Sequence, residues 1–126
     1  MLFRVTIISM LLFTSIAQAQ YSSKRKLLLV TDNIQNTQFL EQEKILQSDS
    51  SGVAERELTI TTITPSNNKA LYSKWMNNSV GFRLILIGKD GGEKFTSDIP
   101  ISCKHLYAII DSMPMRQQEI KKGKRD

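Results

Sequence analysis

The sequence predicts an α/β fold built on one four-stranded mixed sheet with helices on both faces. Two observations lead to this prediction: strand-like and helix-like segments alternate along the chain, and the last two strand-like segments are separated only by a tight turn. A strand, a helix and a second strand in succession form a parallel pair joined by a right-handed crossover. A tight turn makes the last strand antiparallel to its neighbour.

The first half of the chain predicts two strands and a helix between them. Lys26 to Val30 is a continuous apolar run, which is typical of a central strand buried on both faces. A helix is predicted over Thr37 to Gln47, with its apolar residues on one side: Phe39, Leu40, Ile45 and Leu46. Ser48 to Gly52 is rich in small polar residues and predicts a loop. Glu57 to Thr64 is rich in β-branched residues and predicts the second strand.

The second half predicts a short helix and a hairpin. Lys69 to Met76 places Leu71, Trp75 and Met76 on the apolar side of the helix. Phe82 to Ile87 and Glu93 to Ser97 are the predicted strands of the hairpin. The turn between them, Gly88 to Gly92, contains Asp-Gly, in which glycine accepts positive φ without steric cost.

A last helix is predicted over Cys103 to Ser112, with Ser102 as its N-cap. Residues that recur at helical spacing are expected to face the sheet: Leu106, Ile109, Ile110 and Met113. Pro114 is expected to stop or kink this helix, and Met115 to Lys122 to form a frayed helical end.

The resulting order, β-α-β-α-β-β-α, is that of a thioredoxin-like architecture. In that fold a reactive cysteine would follow the first strand, where a helix N-terminus lowers the thiol pKa. Residues 31–36 occupy that place and contain no cysteine. The proline that normally precedes the third strand is also missing, because Val80 and Gly81 stand there. The sequence therefore argues against dithiol exchange.

The N-terminus predicts an exported protein. A basic start is followed by an apolar run and by Ala17-Gln18-Ala19, which matches a signal-peptidase site. We expect a signal peptide at 1–19, a domain at 20–119 and a basic tail at 120–126. The domain is expected in the periplasm or outside the cell, without a membrane span in the mature form, because the apolar run is shorter than the roughly 20 residues needed.

Cys103 is the single cysteine, so it cannot form an intramolecular disulfide. Its predicted place in the first turn of the last helix, next to Lys104, favours the thiolate. His105 lies two positions further on and would not face it on a helix. An incidental thiol is favoured over a reactive or partner-linking one. One histidine and one cysteine are too few for a zinc site, and no metal or other cofactor is expected.

Other residue types that form functional sites in many proteins have structural interpretations in this chain. Gly88, Gly91 and Gly92 lie between two strands, so no helix N-terminus is available to bind phosphate. The aspartates Asp90, Asp98 and Asp111 are scattered singly, so no pair is expected to share a substrate. Tyr72 and Trp75 are compatible with a sugar-binding surface, but core packing is favoured for Trp75. No catalytic residue is assigned, with Cys103 as the alternative.

The chain is basic, with a net charge of +5 that becomes +4 when Arg4 leaves with the signal peptide. Much of the excess lies at the C-terminal end, in Arg116, Lys121, Lys122, Lys124 and Arg125. This end is expected to aid solubility, and it also offers a surface for an acidic protein or an anionic polysaccharide. No aromatic residues are interleaved with these charges, which argues against nucleic acid.

Two runs of the sequence are distinctive: GFRLILIGKDGG, from Gly81 to Gly92, and DSMPMR, from Asp111 to Arg116. Together they resemble the family known as domain of unknown function 4174, and the resemblance covers about residues 24–119. It implies a peroxiredoxin-like or thioredoxin-like fold. Related domains in secreted vertebrate matrix proteins, including equarin-like and sushi-repeat proteins, imply adhesion or matrix binding. The family has no established catalytic residues, and this chain lacks the peroxidatic-cysteine loop of true peroxiredoxins.

Two hypotheses of function follow. The first is a non-catalytic binding module in the periplasm or outside the cell, whose partner is an envelope or extracellular protein or an anionic polysaccharide. The second is thiol chemistry at Cys103, as a peroxide sensor or through a mixed disulfide. The first is favoured because the redox residues of the fold are missing.

Overall fold

The computed structural model describes residues 24–77 and 81–125. The predicted signal peptide and Val80 lie outside the described residues. The strands are β1 (Arg25–Thr31), β2 (Leu58–Ile63), β3 (Phe82–Ile87) and β4 (Glu93–Ser97). The helices are α1 (Thr37–Gln47), α2 (Ser50–Glu55), α3 (Lys69–Trp75), α4 (Cys103–Asp111) and α5 (Pro114–Arg125). No helix within the described ranges is long and apolar enough to cross a membrane.

The strands form one mixed sheet in the order β2-β1-β3-β4. β1 is parallel to β2 and antiparallel to β3, and β3 is antiparallel to β4. In the turn between β3 and β4, the amide of Gly88 donates to the carbonyl of Gly92 at 2.9 Å, and Gly91 has a φ of 83°. The predicted α/β thioredoxin-like fold and its hairpin turn are confirmed.

Apolar side chains cover both faces of the sheet. On one face α1, α2 and α4 pack on the sheet through a cluster that includes Phe39, Val53, Leu106 and Ile110. On the other face the partly buried Leu71, Tyr72 and Trp75 of α3 pack against a second cluster, which includes Met76, the buried residue that follows this helix. β1 supplies both clusters, because alternate side chains of a strand point to opposite faces. Core packing of Trp75 is confirmed.

The segment 48–52, predicted as a loop, instead starts a second helix. Asp49 is the N-cap of α2, and its carboxylate accepts a hydrogen bond from the amide of Gly52 at 3.3 Å. Small polar residues favour loops and helix caps alike. The loop prediction was wrong because Asp49 serves as a cap here and the buried Val53 holds α2 against the core.

The C-terminal end is more regular than predicted. α4 ends at Asp111, before Pro114, so the predicted stop is confirmed. Pro114 is then the first residue of α5, a position that needs no amide donor, and a regular helix takes the place of the predicted frayed end. The amide of Gln117 donates to the carbonyl of Met113 at 2.9 Å, which closes the first turn. α5 continues past residue 120, so no break in the helix marks the predicted start of the basic tail.

One residue on the predicted apolar side of α1 is exposed, and a polar residue takes the buried position. Leu40 is 44% exposed, whereas Gln42 is fully buried. The side-chain amide of Gln42 donates to the carbonyl of Ile101 at 3.1 Å, and its oxygen accepts from the amide of Ile101 at 2.8 Å. Gln42 thus gives the loop before α4 the two hydrogen bonds that a neighbouring strand would supply.

We predict that Gln42→Leu lowers the free energy of unfolding by about 2 kcal/mol, because it leaves the two backbone groups of Ile101 buried without partners. Urea denaturation followed by circular dichroism measures the change. Gln47→Leu, on the exposed side of the same helix, is the control and should change stability by less than about 0.5 kcal/mol. Equal effects of the two variants would contradict a specific role for Gln42.

Candidate functional site

Hydrogen bonds hold the segment between β1 and α1 in place. The side-chain oxygen of Asn36 accepts from the amides of Gln38 at 2.9 Å and Phe39 at 3.1 Å. The amide of Asp32 donates to the carbonyl of Gly81 at 3.1 Å, which ties the segment to the start of β3. The first-turn amides of α1 are therefore occupied by a cap, and no thiol lies in this segment.

Gly81 is required where it stands. Its φ is 81°, a conformation that residues with a Cβ rarely adopt. A Cβ at this position would also lie 2.8 Å from the side-chain nitrogen of Asn36. Close packing of these two residues therefore joins the entry to α1 to the entry to β3.

Cys103 lies where the sequence predicted, in the first turn of α4. The hydroxyl of Ser102 caps this turn by accepting from the amide of His105 at 3.1 Å. The Sγ atom of Cys103 is half-buried and donates to the carbonyl of Ile45 at 3.3 Å. The thiol therefore faces the C-terminal turn of α1.

Tyr107 is the ionisable neighbour of this thiol. Its hydroxyl donates to the carbonyl of Asp49 at 3.2 Å, and the guanidinium of Arg56 lies 3.8 Å from the centre of its ring. Burial, followed by hydrogen bonding to Asp49 and to Cys103, raises the pKa of Tyr107 well above its usual value. Tyr107 is therefore neutral at physiological pH and is no base for the thiol.

His105 and the three aspartates have ordinary structural partners. The ring of His105 packs against that of Phe95, with 5.6 Å between ring centres. Asp90 pairs with Lys94 at 2.7 Å, and Asp98 with Arg83 at 2.7 Å. Asp111 pairs with two arginines described below. Within residues 24–77 and 81–125, no three His, Cys, Asp or Glu residues are grouped so that they could hold a metal ion.

The most unusual polar feature of the described chain is a set of ion pairs that attaches α5 to the first strand. The guanidinium of Arg25 is 1% exposed and donates to both carboxylate oxygens of Glu119, at 3.1 and 3.2 Å. The ammonium of Lys89, from the hairpin turn, lies 2.6 Å from the same carboxylate and also bonds to Glu57. Burying a cation is costly unless it is paired, so Glu119 is the group that allows Arg25 to be buried.

A second group of ion pairs adjoins the first. Arg116 is 7% exposed at its side chain and pairs with Asp111 at 3.1 Å and with Glu55 at 3.2 Å. Arg56 pairs with Asp111 at 3.0 Å, and Arg116 also lies 3.5 Å from Glu119, which connects the two groups. We call all of these residues the α5 ion cluster. From the sequence, Arg116 was counted with the C-terminal charges that offer a surface to an acidic ligand; that interpretation was wrong for Arg116, because its side chain is buried in this cluster.

The cluster shifts the ionisation of its carboxylates. Burial alone would raise the pKa of Glu119, but hydrogen bonds from Lys89 and Arg25 outweigh burial and hold the pKa below its usual value. For Asp111 the effect of burial is likewise outweighed by hydrogen bonds from Arg56 and Arg116, so its pKa is also lowered. Both groups are therefore charged at neutral pH, and they stabilise the fold in that form.

A cavity of about 310 Å³ lies beside the cluster, between the hairpin turn and the start of α5. Both runs that carry the family resemblance contribute residues to the cavity. Its lining consists of Arg25, Gly88, Lys89, Asp90, Lys94, Met113, Pro114 and Met115, and most of the exposed surface is apolar. Its lysines are already paired with carboxylates.

The family model for "Domain of unknown function (DUF4174)" matches residues 17–119 of this sequence. The chain belongs to the DUF4174 family. No curated protein matches its sequence. The α5 ion cluster therefore lies within the DUF4174 domain, because Glu119 is the last matched residue.

Two solved structures resemble this DUF4174 chain in fold. One, described as a malarial protein, has a TM-score of 0.57 and 16% identity and covers 70% of this chain and 94% of its own. The other is thioredoxin-2, described as a component of malaria parasite protein secretion machinery. It has a TM-score of 0.58 and 16% identity and covers 71% of this chain and 84% of its own. At this identity the likenesses show the fold alone.

We predict that Glu119→Gln lowers the free energy of unfolding at neutral pH by about 3 kcal/mol, because it leaves a buried arginine without its carboxylate. The pKa of Glu119 is lower in the folded state, so its contribution is complete above the unfolded value of about 4.3 and is lost as the pH falls through the folded value. The difference between variant and parent should therefore narrow in acid. Urea denaturation at several pH values measures it.

Glu41→Gln, on the exposed surface of α1, is the matched control and should have little effect at any pH. A Glu119→Gln variant as stable as this control at neutral pH would contradict a structural role for the α5 ion cluster.

Proposed function

We propose that this DUF4174 protein is an exported, non-catalytic binding domain whose ligand is an anionic polysaccharide of the cell envelope or exterior. The observation that supports a non-catalytic role is the capped N-terminus of α1. The amides that would lower a thiol pKa in this fold are capped by Asn36, and no cysteine is present beside them.

The polysaccharide part rests on the outer side of α5. The α5 ion cluster holds the inner side of this helix through Arg116 and Glu119, while Lys121 and Lys122 are exposed one turn further on. Cations on a helix attract a polyanion and require less ordering of the backbone on binding than cations on a loose tail. The signal peptide predicted at 1–19 supports export, and an acidic protein partner is the alternative ligand.

We predict that the protein binds a sulfated polysaccharide such as dextran sulfate at low ionic strength and releases it as salt is added. Lys121→Gln with Lys122→Gln should weaken binding by about threefold to tenfold, because two exposed ion pairs contribute about 0.3–0.7 kcal/mol each. A fluorescence titration measures the dissociation constant.

The control is Lys44→Gln with Lys69→Gln, two exposed lysines on α1 and α3, which leaves the same net charge. Loss of affinity in the α5 variant alone supports the proposal. An equal loss in both variants would show attraction to net charge alone, and no binding at low salt would overturn the polysaccharide assignment.

Thiol chemistry at Cys103 predicts a different behaviour. Because its Sγ atom is half-buried and donates to the carbonyl of Ile45, we expect iodoacetamide to alkylate the folded protein more slowly than the unfolded protein. Mass spectrometry over about pH 6 to 9 measures both rates, and Cys103→Ser is the blank. Faster alkylation of the folded protein would favour the thiol hypothesis over the binding one.

A further inference from the structure

The buried guanidinium of Arg25 has a donor that its partners do not use. A guanidinium carries its N–H groups in one plane, on Nε and on two Nη atoms. Nη1 donates to the carbonyl of Arg56 at 2.9 Å and to Glu119 at 3.2 Å, and Nη2 donates to Glu119 at 3.1 Å. Nε has no partner, and in the described parts of the chain it is the only buried side-chain nitrogen or oxygen of which this is true.

Glu119 cannot serve this donor as well. Its two carboxylate oxygens already accept from the Nη end of the guanidinium. Because the group is planar and rigid, Nε–H points to the side of the guanidinium and not toward that end. A buried donor without an acceptor is costly, and native proteins rarely leave one. The arrangement therefore calls for an acceptor that the described residues do not supply.

Arg25 lines the cavity between the hairpin turn and the start of α5. The volume of this cavity, about 310 Å³, lies at the lower end of the range for ligand pockets, about 300–1,000 Å³. Met113, Pro114 and Met115 form its wall on the side of α5. Methionine side chains adapt easily, which gives an entering molecule room to reach Nε, an atom that bulk solvent does not contact.

The charges around the cavity favour a neutral ligand. Each of its three lining cations already contacts a carboxylate: Arg25 and Lys89 contact Glu119, and Lys94 contacts Asp90. An anion would therefore enter a largely apolar site without a free cation to pair with, and burying such a charge is costly. A carbonyl oxygen accepts a hydrogen bond without bringing a charge.

We propose that this cavity binds a small, uncharged and largely apolar molecule whose carbonyl oxygen accepts a hydrogen bond from Nε of Arg25. The apolar part of the molecule packs against Met113 and Met115. The site is separate from the polysaccharide surface, because neither Lys121 nor Lys122 lines the cavity.

Titration of the isotope-labelled protein with cyclohexyl methyl ketone, followed by NMR, tests the proposal. The Nε–H signal of Arg25 should shift and saturate together with the amide signals of Gly88 and Met115. Cyclohexanecarboxylate is the matched anion, because a charged oxygen replaces the methyl group, and cyclohexylmethylammonium is the matched cation. Both should bind at least about tenfold more weakly than the ketone, since each brings an unpaired charge into the site.

Three results would overturn the proposal. Equal binding of the three compounds would show attraction to apolar surface alone, and tighter binding of the carboxylate would show an anion site. An Arg25 Nε–H signal that the ketone leaves unchanged would show that Nε is not the donor, as expected if a trapped water already satisfies it.

A pair of variants gives a second test. Met115→Ala removes part of the apolar wall and should weaken binding of the ketone by about threefold. Leu40→Ala is the control, because Leu40 is 44% exposed on a helix, as Met115 is at 41%, and does not line the cavity. Equal loss of affinity in both variants would contradict the site. Binding of dextran sulfate is measured separately, so either proposal can fail without the other.

Discussion

The structure depends on the burial of β1, the second strand in the sheet order. Its residues from Leu27 to Val30 are at most 8% exposed, and they pack alternately into the clusters on the two faces of the sheet. A strand buried in this way requires a neighbour on each edge and helices on each face. The parallel crossover to β2 and the antiparallel pairing with β3 meet the first requirement.

β1 also begins with a charge that must be accommodated. Arg25 is 1% exposed, and its cost of burial is offset by Glu119 and by the carbonyl of Arg56, to which it donates at 2.9 Å. This requirement makes α5 part of the domain. Because Lys89 shares the same carboxylate, the hairpin turn, the first strand and the last helix form one connected unit.

The hydrogen bonds and ion pairs determine which polar groups of the domain remain accessible to a ligand. Asn36 occupies the helix end that this fold elsewhere uses for thiol chemistry, and Cys103 donates to a helix carbonyl away from that end. The ion pairs of α5 neutralise the cations on its inner side and leave the exposed lysines of its outer side to interact with solvent or a ligand.

The sequence by itself determined most of the local structure. The bounds of α1, β3 and β4, the hairpin turn and the Ser102 cap agree with the predictions, because apolar periodicity, turn residues and caps act over a few neighbouring positions. The position of Cys103, the alternative site residue, was also predicted correctly, in the first turn of α4. Tertiary structure alone decided that Gln42 is buried and Leu40 exposed, because Gln42 bonds to a residue 59 positions away. It likewise decided that Arg116 is buried and that Arg25 meets Glu119, its partner 94 positions along the chain. No local pattern distinguishes such a charge from a solvated one, since its pairing is set by how the distant elements pack.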